Sequence, residues 1–232
     1  MGKCRGNSMT KPVIFCDFDG TVTESDNIIR MMEEFAPQGW EDIKDQILTR
    51  QISINEGVGK LFSLLPSQLE KKLTAFAIEH AKIRPGFKEF VEFAHKEEIP
   101  LYIVSGGIDF FVYPVLEKFG PFDGIYCNES DFSGERIKIL WPNECDSLCD
   151  NNCGCCKPSI IRKLNHENNK FKIVIGDSVT DLEAAKHADF VLARDLLQEK
   201  CEEWGINHRG FSTFFECIEE IKKRIEVGEL KC

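Results

Sequence analysis

The apolar run Val13-Ile14-Phe15-Cys16 passes directly into Asp17-Phe18-Asp19-Gly20-Thr21. A short apolar run bounded by a turn signal reads as a buried strand. Here it ends with two carboxylates where the chain must turn. Phe18 points its own way, so Asp17 and Asp19 can converge on one site. Hydrolysis of a phosphate ester needs a nucleophile and a proton donor a few ångströms apart, and an Asp-x-Asp turn at a strand end supplies both. Taken alone, the same residues could also be an ordinary strand-capping turn.

Three more signals follow in order. Leu101-Tyr102-Ile103-Val104 is an apolar strand followed by Ser105-Gly106-Gly107, a small hydroxyl and two glycines. A turn of that composition can bring backbone N–H groups and a hydroxyl close to phosphate oxygens. Lys157-Pro158-Ser159 places a cation just ahead of a helix start. Lys172-Ile173-Val174-Ile175 is a strand ending in Gly176-Asp177-Ser178-Val179-Thr180-Asp181, with two further carboxylates. Each signal has a plain alternative (a loop, a surface lysine, a capped helix). The four together, in this order, point to one site.

With these motifs the chain resembles the haloacid dehalogenase superfamily, in its phosphoserine-phosphatase-like branch. The four motifs of that family match Asp17 to Thr21, Ser105, Lys157, and Asp177 to Asp181, and the resemblance runs from about Val13 to Trp204. Val104 to Pro114 and Cys153 to Ser159 look more closely like the methionine-salvage phosphatases, whose substrate is an enol phosphate with a methylthio group.

Strands are expected at Val13–Cys16, Leu101–Val104, Gly124–Cys127, Lys172–Ile175 and Phe190–Ala193. Helices are expected near Phe87–Lys96, Phe110–Phe119, Ser159–Asn165, Asp181–His187, Leu196–Trp204 and Phe214–Glu226. This alternation predicts an α/β fold, with a Rossmann-like parallel sheet flanked by helices. Ligands of such sheets bind beyond the strand carboxyl ends, which is where the motif carboxylates fall. From Glu24 to Arg84 the pattern turns helical, with apolar residues three or four apart, as in Leu69, Leu73, Phe76 and Ala77. The expected domains are therefore a catalytic core of residues 11–23 and 85–232 and an inserted helical cap of residues 24–84. Arg136-Ile137-Lys138-Ile139 alternates polar and apolar, so a hairpin or flap is expected beside the sheet.

The acidic balance, a net charge of −10, disfavours nucleic acid and anionic membrane as partners. No apolar run approaches the roughly 20 residues that span a bilayer. Residues 1–10 read as a loose tail, and the expected setting is cytoplasmic. Acidity also suits an anionic substrate badly unless a cation reverses the local field. Two unit charges about 4 Å apart repel by roughly 4 kcal/mol at an effective dielectric of about 20. The crowded ligands are hard oxygens, which favours Mg2+ over zinc.

By resemblance, Asp17 is the nucleophile and a metal ligand, Asp19 the general acid and base, and Asp177 a second carboxylate ligand. Asp19 also lends the metal a backbone carbonyl. Ser105 and the Gly106 amide hold phosphoryl oxygens, Lys157 offsets their charge, and Asp181 supports the metal or Lys157. Phe110, Phe111 and Glu24 are candidates for the substrate pocket. Glu24 keeps a phosphoserine phosphatase, or another small phosphomonoesterase, open as an alternative. In every case the expected partner is a small phosphorylated metabolite.

Five of eleven cysteines fall within twelve residues: Cys145, Cys149, Cys153, Cys155 and Cys156. They could hold a structural zinc ion, remain reduced thiols in a folded loop, or pair as disulfides. The spacing matches no zinc ribbon built from paired Cys-x-x-Cys units. The cluster also keeps a second class of function open, a thiol-rich metal-binding or interaction module on a non-catalytic scaffold.

Overall fold

The structure, a computed structural model, describes residues 11–165 and 170–230. The first ten residues, expected to be a tail, lie outside that range. Seven strands form one sheet: β1 (Pro12–Cys16), β2 (Leu101–Ile108), β3 (Gly124–Asp131), β4 (Lys138–Leu140), β5 (Phe171–Gly176), β6 (Phe190–Ala193) and β7 (His208–Gly210). Their order is β4-β3-β2-β1-β5-β6-β7. All neighbours are parallel except β3 and β4, which pair antiparallel from Glu129↔Leu140 to Asp131↔Lys138. That pair is the expected hairpin.

Helices α1 (Asn27–Phe35), α2 (Trp40–Leu48), α3 (Ile54–Ser63) and α4 (Glu70–His80) lie between β1 and the next helix, α5 (Phe87–Lys96). Then follow α6 (Asp109–Leu116), α7 (Lys157–Asn165), α8 (Leu182–Lys186), α9 (Asp195–Trp204) and α10 (Phe214–Glu226). Side chains alternate across the central strand. Ile14 and Cys16 join the cluster that holds Phe90 of α5 and Phe214 of α10, whereas Val13 and Phe15 join the one that holds Ile160 and Ile161 of α7. A strand covered on both faces needs apolar residues at every position, which is why Val13 to Cys16 carries no polar alternation.

The chain leaves β1 and returns to α5 through a narrow stem. Thr23 and Ile83 form an antiparallel bridge, the Glu24 N–H donates to the Lys82 carbonyl (2.8 Å), and the Arg84 N–H donates to Val22 (2.8 Å). Asp26 caps α1 by accepting from Ile29 N–H, and Ser53 caps α3 by accepting from Glu56 N–H. Pro66 lies between α3 and α4 and precedes the helical turn that starts at Ser67. A single 3-10 turn at Ser67–Leu69 leads into α4.

Two features depart from expectation. β2 does not end at Val104. It continues to Ile108, and its register against β3 shifts between Val104 and Ile108, so Ser105-Gly106-Gly107 forms an irregular stretch within the strand and not a turn after it. β7 is a three-residue edge strand of half-buried or exposed residues, with no apolar alternation to announce it. Among the described residues, no helix is long and apolar enough to cross a membrane.

Candidate active site

β1 lies between β2 and β5, and the chain crosses from one side of β1 to the other. That reversal opens a crevice at the strand carboxyl ends. Asp17 follows β1 and is held there by its N–H, which donates to the Ile175 carbonyl at 2.9 Å. Ser105 lies on the neighbouring β2, and Asp177 directly follows β5. Carboxylate oxygens of Asp17, Asp177 and Asp181 lie within 4.8 Å of one another.

Lys157, the first residue of α7, reaches into this group. Its Nζ donates to Asp17 Oδ1 (2.6 Å) and to Asp181 Oδ1 (2.5 Å), and all three residues are buried. Asp181 Oδ2 accepts the Asp177 and Ser178 N–H groups, each at 3.2 Å, so one carboxylate braces both Lys157 and the loop after β5. Thr21 Oγ1 donates to Asp177 Oδ1 (2.8 Å). Gly20 has φ +79° and lies so close to the Asp177 carboxylate that a Cβ would collide with it.

Asp19 faces the other way. Its Oδ1 accepts both the Asn27 side-chain amide (2.6 Å) and the Asn27 N–H (3.0 Å). Its Oδ2 lies 2.8 Å from where a Cβ on Gly107 would be, and that Cβ would also be 3.0 Å from Ser105 Oγ. Only glycine fits between the two. A Cβ on Gly106 would meet nothing within 4 Å, so the space in front of that residue is open.

The electrostatics are unbalanced. Burial pushes the Asp17 carboxyl up to about 7; Lys157 opposes the shift and Asp181 adds to it. Burial, then Asp17, then Asp181 push Asp177 up to about 9. Burial, then Asp26, push Asp19 well above the ordinary carboxylate range, against the Asn27 hydrogen bonds. Burial works against the Lys157 ammonium, but Asp17 and Asp181 outweigh it and hold its pKa above the usual value. Fully ionised, four carboxylates around one ammonium would carry excess negative charge, and the raised pKa values reflect that cost. A hard-oxygen donor set with that surplus fits a small divalent cation.

The residues expected at the pocket separate. Phe110 is half-buried, edge-on to Phe62 (5.9 Å between centroids) and Phe132 (5.4 Å). Phe111 is fully buried against Phe18 and lines no rim; its side of α6 faces the core. Glu24 is exposed. Met31, Met32 and Phe62 of the helical insertion are fully buried in the main core cluster, as expected of packing residues at helical spacing.

Sequence reasoning missed Asn27, Arg84 and Asn128. Arg84 is buried and donates to the carbonyls of Thr21 (2.7 Å), Gly20 (2.8 Å), Thr23 (3.3 Å) and Ser212 (3.4 Å). Asn128 Nδ2 holds the Gly106 carbonyl at 2.8 Å. Asn27 follows the Asp26 cap of α1, and its local pattern carries no sign of a partner at Asp19. Arg84 and Asn128 bind backbone from a distance, which no local pattern encodes.

The cysteines divide four to one. Sγ atoms of Cys145, Cys149, Cys153 and Cys156 lie within 4.8 Å of one another. Cys155 turns away into the second core cluster, with its Sγ 3.7 Å from the Tyr126 carbonyl. The expectation that it shares the cluster is therefore corrected: neighbouring residues here point to opposite sides, and one side is core. With Cys155 set aside, Cys153 and Cys156 stand as one Cys-x-x-Cys spacing. The described cysteines are free thiols.

The chain is similar to known proteins in sequence and in structure. The family model for haloacid dehalogenase-like hydrolases matches residues 14–186. A 2-hydroxy-3-keto-5-methylthiopentenyl-1-phosphate phosphatase of Geobacillus kaustophilus (strain HTA426) is 56% identical over 94% of this chain and 99% of that protein. One of the same name from Bacillus pumilus (strain SAFR-032) is 52% identical over 93% of this chain and 95% of that protein. Among solved structures, a phosphoserine phosphatase from T. onnurineus superposes with a TM-score of 0.69 at 18% identity, covering 95% of this chain and 98% of that one.

Proposed function

This chain belongs to the haloacid dehalogenase-like hydrolases, and within that family we propose that it is a Mg2+-dependent phosphatase acting on 2-hydroxy-3-keto-5-methylthiopentenyl-1-phosphate in methionine salvage. The substrate is supported by the shared name of relatives that are 52% and 56% identical over more than nine-tenths of this chain. The chemistry is carried by one observation, the buried Lys157 bridging Asp17 and Asp181 at the tip of β1. In this reading residues 11–23 and 85–232 are the catalytic core, and residues 24–84 are a cap over it.

Asp17 attacks phosphorus, and a P–O bond forms as the ester P–O bond breaks, leaving an aspartyl-phosphate. Asp19 gives its proton to the departing enol oxygen. Its Oδ1 is occupied by Asn27, so Oδ2 is the oxygen left to carry that proton, and burial favours the protonated form. That step frees 1,2-dihydroxy-3-keto-5-methylthiopentene; water then attacks phosphorus, gives a proton to Asp19, and the bond between phosphorus and Asp17 breaks to release phosphate. Ser105 and the Gly106 N–H hold phosphoryl oxygens, and Lys157 offsets their charge. The carboxylates of Asp17 and Asp177, with the Asp19 carbonyl, would hold Mg2+. When bound, the ion neutralises the crowded carboxylates and the phosphoryl oxygens.

A substrate panel tests the proposal. The methylthio enol phosphate is expected to give the highest kcat/KM, with EDTA abolishing turnover and Mg2+ restoring it. Asp17→Asn should fold and be inactive. A clear preference for phosphoserine would overturn the substrate, and more than about 1% residual activity in Asp17→Asn would overturn the nucleophile, since losing a covalent step costs far more than that.

A further inference from the structure

Residues 141–156 form a long segment between β4 and α7 without regular structure. Loops longer than about 12–15 residues are uncommon in compact domains unless something holds them. Little apolar burial is available here, and Leu148 is 75% exposed. The segment nevertheless ends on Lys157, whose Nζ must meet two carboxylates to within tenths of an ångström.

The four converging thiols lie in this segment. A tetrahedral ion with Zn–S bonds of about 2.3 Å has sulfur–sulfur edges of about 3.8 Å. The Cys149–Cys153 Sγ separation is 3.8 Å, and all four Sγ atoms fall within 4.8 Å. A disulfide needs its sulfurs about 2.05 Å apart, so that pair is not bonded. Thiolates spaced for a single ion are too close to enclose several irons. Soft sulfur ligands in a closed tetrahedron select zinc. Supporting groups are present: Ser159 Oγ donates to Cys156 Sγ (2.9 Å), and Arg162 pairs with Asp146 beside Cys145 (2.5 and 2.8 Å).

We infer that Cys145, Cys149, Cys153 and Cys156 bind one zinc ion as four thiolates, and that the ion fixes the start of α7 so that Lys157 stands between Asp17 and Asp181. Cys156 is the residue before Lys157, so its ligand bond lies one peptide from the catalytic ammonium. Cys156 N–H also donates to the Asn143 carbonyl (2.8 Å), which ties the first and last parts of the loop together. The site is distinct from the Mg2+ site in both donor chemistry and position. Its second half rests on the role proposed for Lys157, whereas the metal content does not.

The full chain, purified from zinc-containing medium without chelator, is expected to carry one zinc per chain by mass spectrometry. X-ray absorption should show four sulfurs at about 2.3 Å. Less than a tenth of an equivalent, an iron content instead, or a nitrogen or oxygen shell would overturn the site. Cys155→Ala should retain the full equivalent, and its loss there would also overturn the assignment. Cys149→Ser should lose zinc. With its fold checked by circular dichroism, it should show kcat lowered at least tenfold with KM little changed. If that variant does not fold, removing zinc from the wild-type chain with a mercurial, then reducing and restoring zinc, gives the same reading. Full kcat in a folded, zinc-free chain would overturn the positioning role. Full zinc in a chain that hydrolyses no phosphate ester would sink the proposed function and leave the site standing.

Discussion

Asn27 holds Asp19 twice on the same oxygen, by its side-chain amide at 2.6 Å and its backbone N–H at 3.0 Å. Both bonds favour the ionised carboxylate, so they lower the pKa that burial raises. Asn27→Ala removes the stronger one, and the Asp19 pKa should climb further. A general acid with a higher pKa keeps its proton to higher pH, so the basic limb of the kcat profile is expected to move up. The carboxylate also loses its fixed orientation, and kcat should fall by about tenfold or more. An unmoved basic limb would contradict the role of Asp19.

The Lys157 ammonium is bonded to two buried carboxylates. Lys157→Met leaves Asp17 and Asp181 buried without their counter-ion, which costs roughly 3–5 kcal/mol. The expected result is a lower urea midpoint, partly recovered by Mg2+, together with loss of activity. A variant as stable as the wild type, with or without Mg2+, would show that the pair carries no such weight.

Gly107 separates Asp19 from Ser105. A Cβ there would stand 2.8 Å from both Asp19 Oδ2 and Val112 Cγ2. Gly107→Ala should therefore displace the acid and the phosphate hydroxyl together, lowering kcat at least tenfold with a stability loss of about 1–3 kcal/mol. Wild-type turnover would mean that Asp19 can move aside without consequence.

Arg162 binds the Asp146 carboxylate through two nitrogens, and this contact, before any other, holds Asp146 down to about 2. A carboxyl depressed in the folded state stabilises the fold above its unfolded pKa of about 3.9. That contribution fades as pH falls toward 2. The stability difference between the wild type and Arg162→Ala should therefore be present at pH 6 and shrink between about pH 4 and pH 2. A difference constant across that window would assign the effect to packing.

The core of the site was legible in the sequence because its residues sit where local pattern and chemistry coincide. Asp17, Ser105 and Asp177 each stand at or beyond the apolar run of a strand, so reading the strands placed them at one edge of the sheet. The helices that carry Phe90 and Phe214 form where expected, at Phe87–Lys96 and Phe214–Glu226. The irregularity in β2 was not legible, since Ser-Gly-Gly reads equally well as a turn or as a shifted register. β7 escaped because His208-Arg209-Gly210 is too short and too polar to alternate. Phe111 and Cys155 show the same limit from the side-chain end. Adjacent residues in a helix or loop point to different surroundings, and sequence adjacency to a motif does not say which.

Arg84 grips Gly20, Thr21 and Thr23 by their carbonyl oxygens alone. Every amino acid offers that acceptor, so the grip is indifferent to which side chains lead out of the first strand. A different helical segment could be grafted at the Thr23–Ile83 stem without loosening the turn that follows Asp17, as long as position 84 stays arginine. The turn beside Asp17 is thus moored through main chain, whatever sequence is spliced in between its two ends.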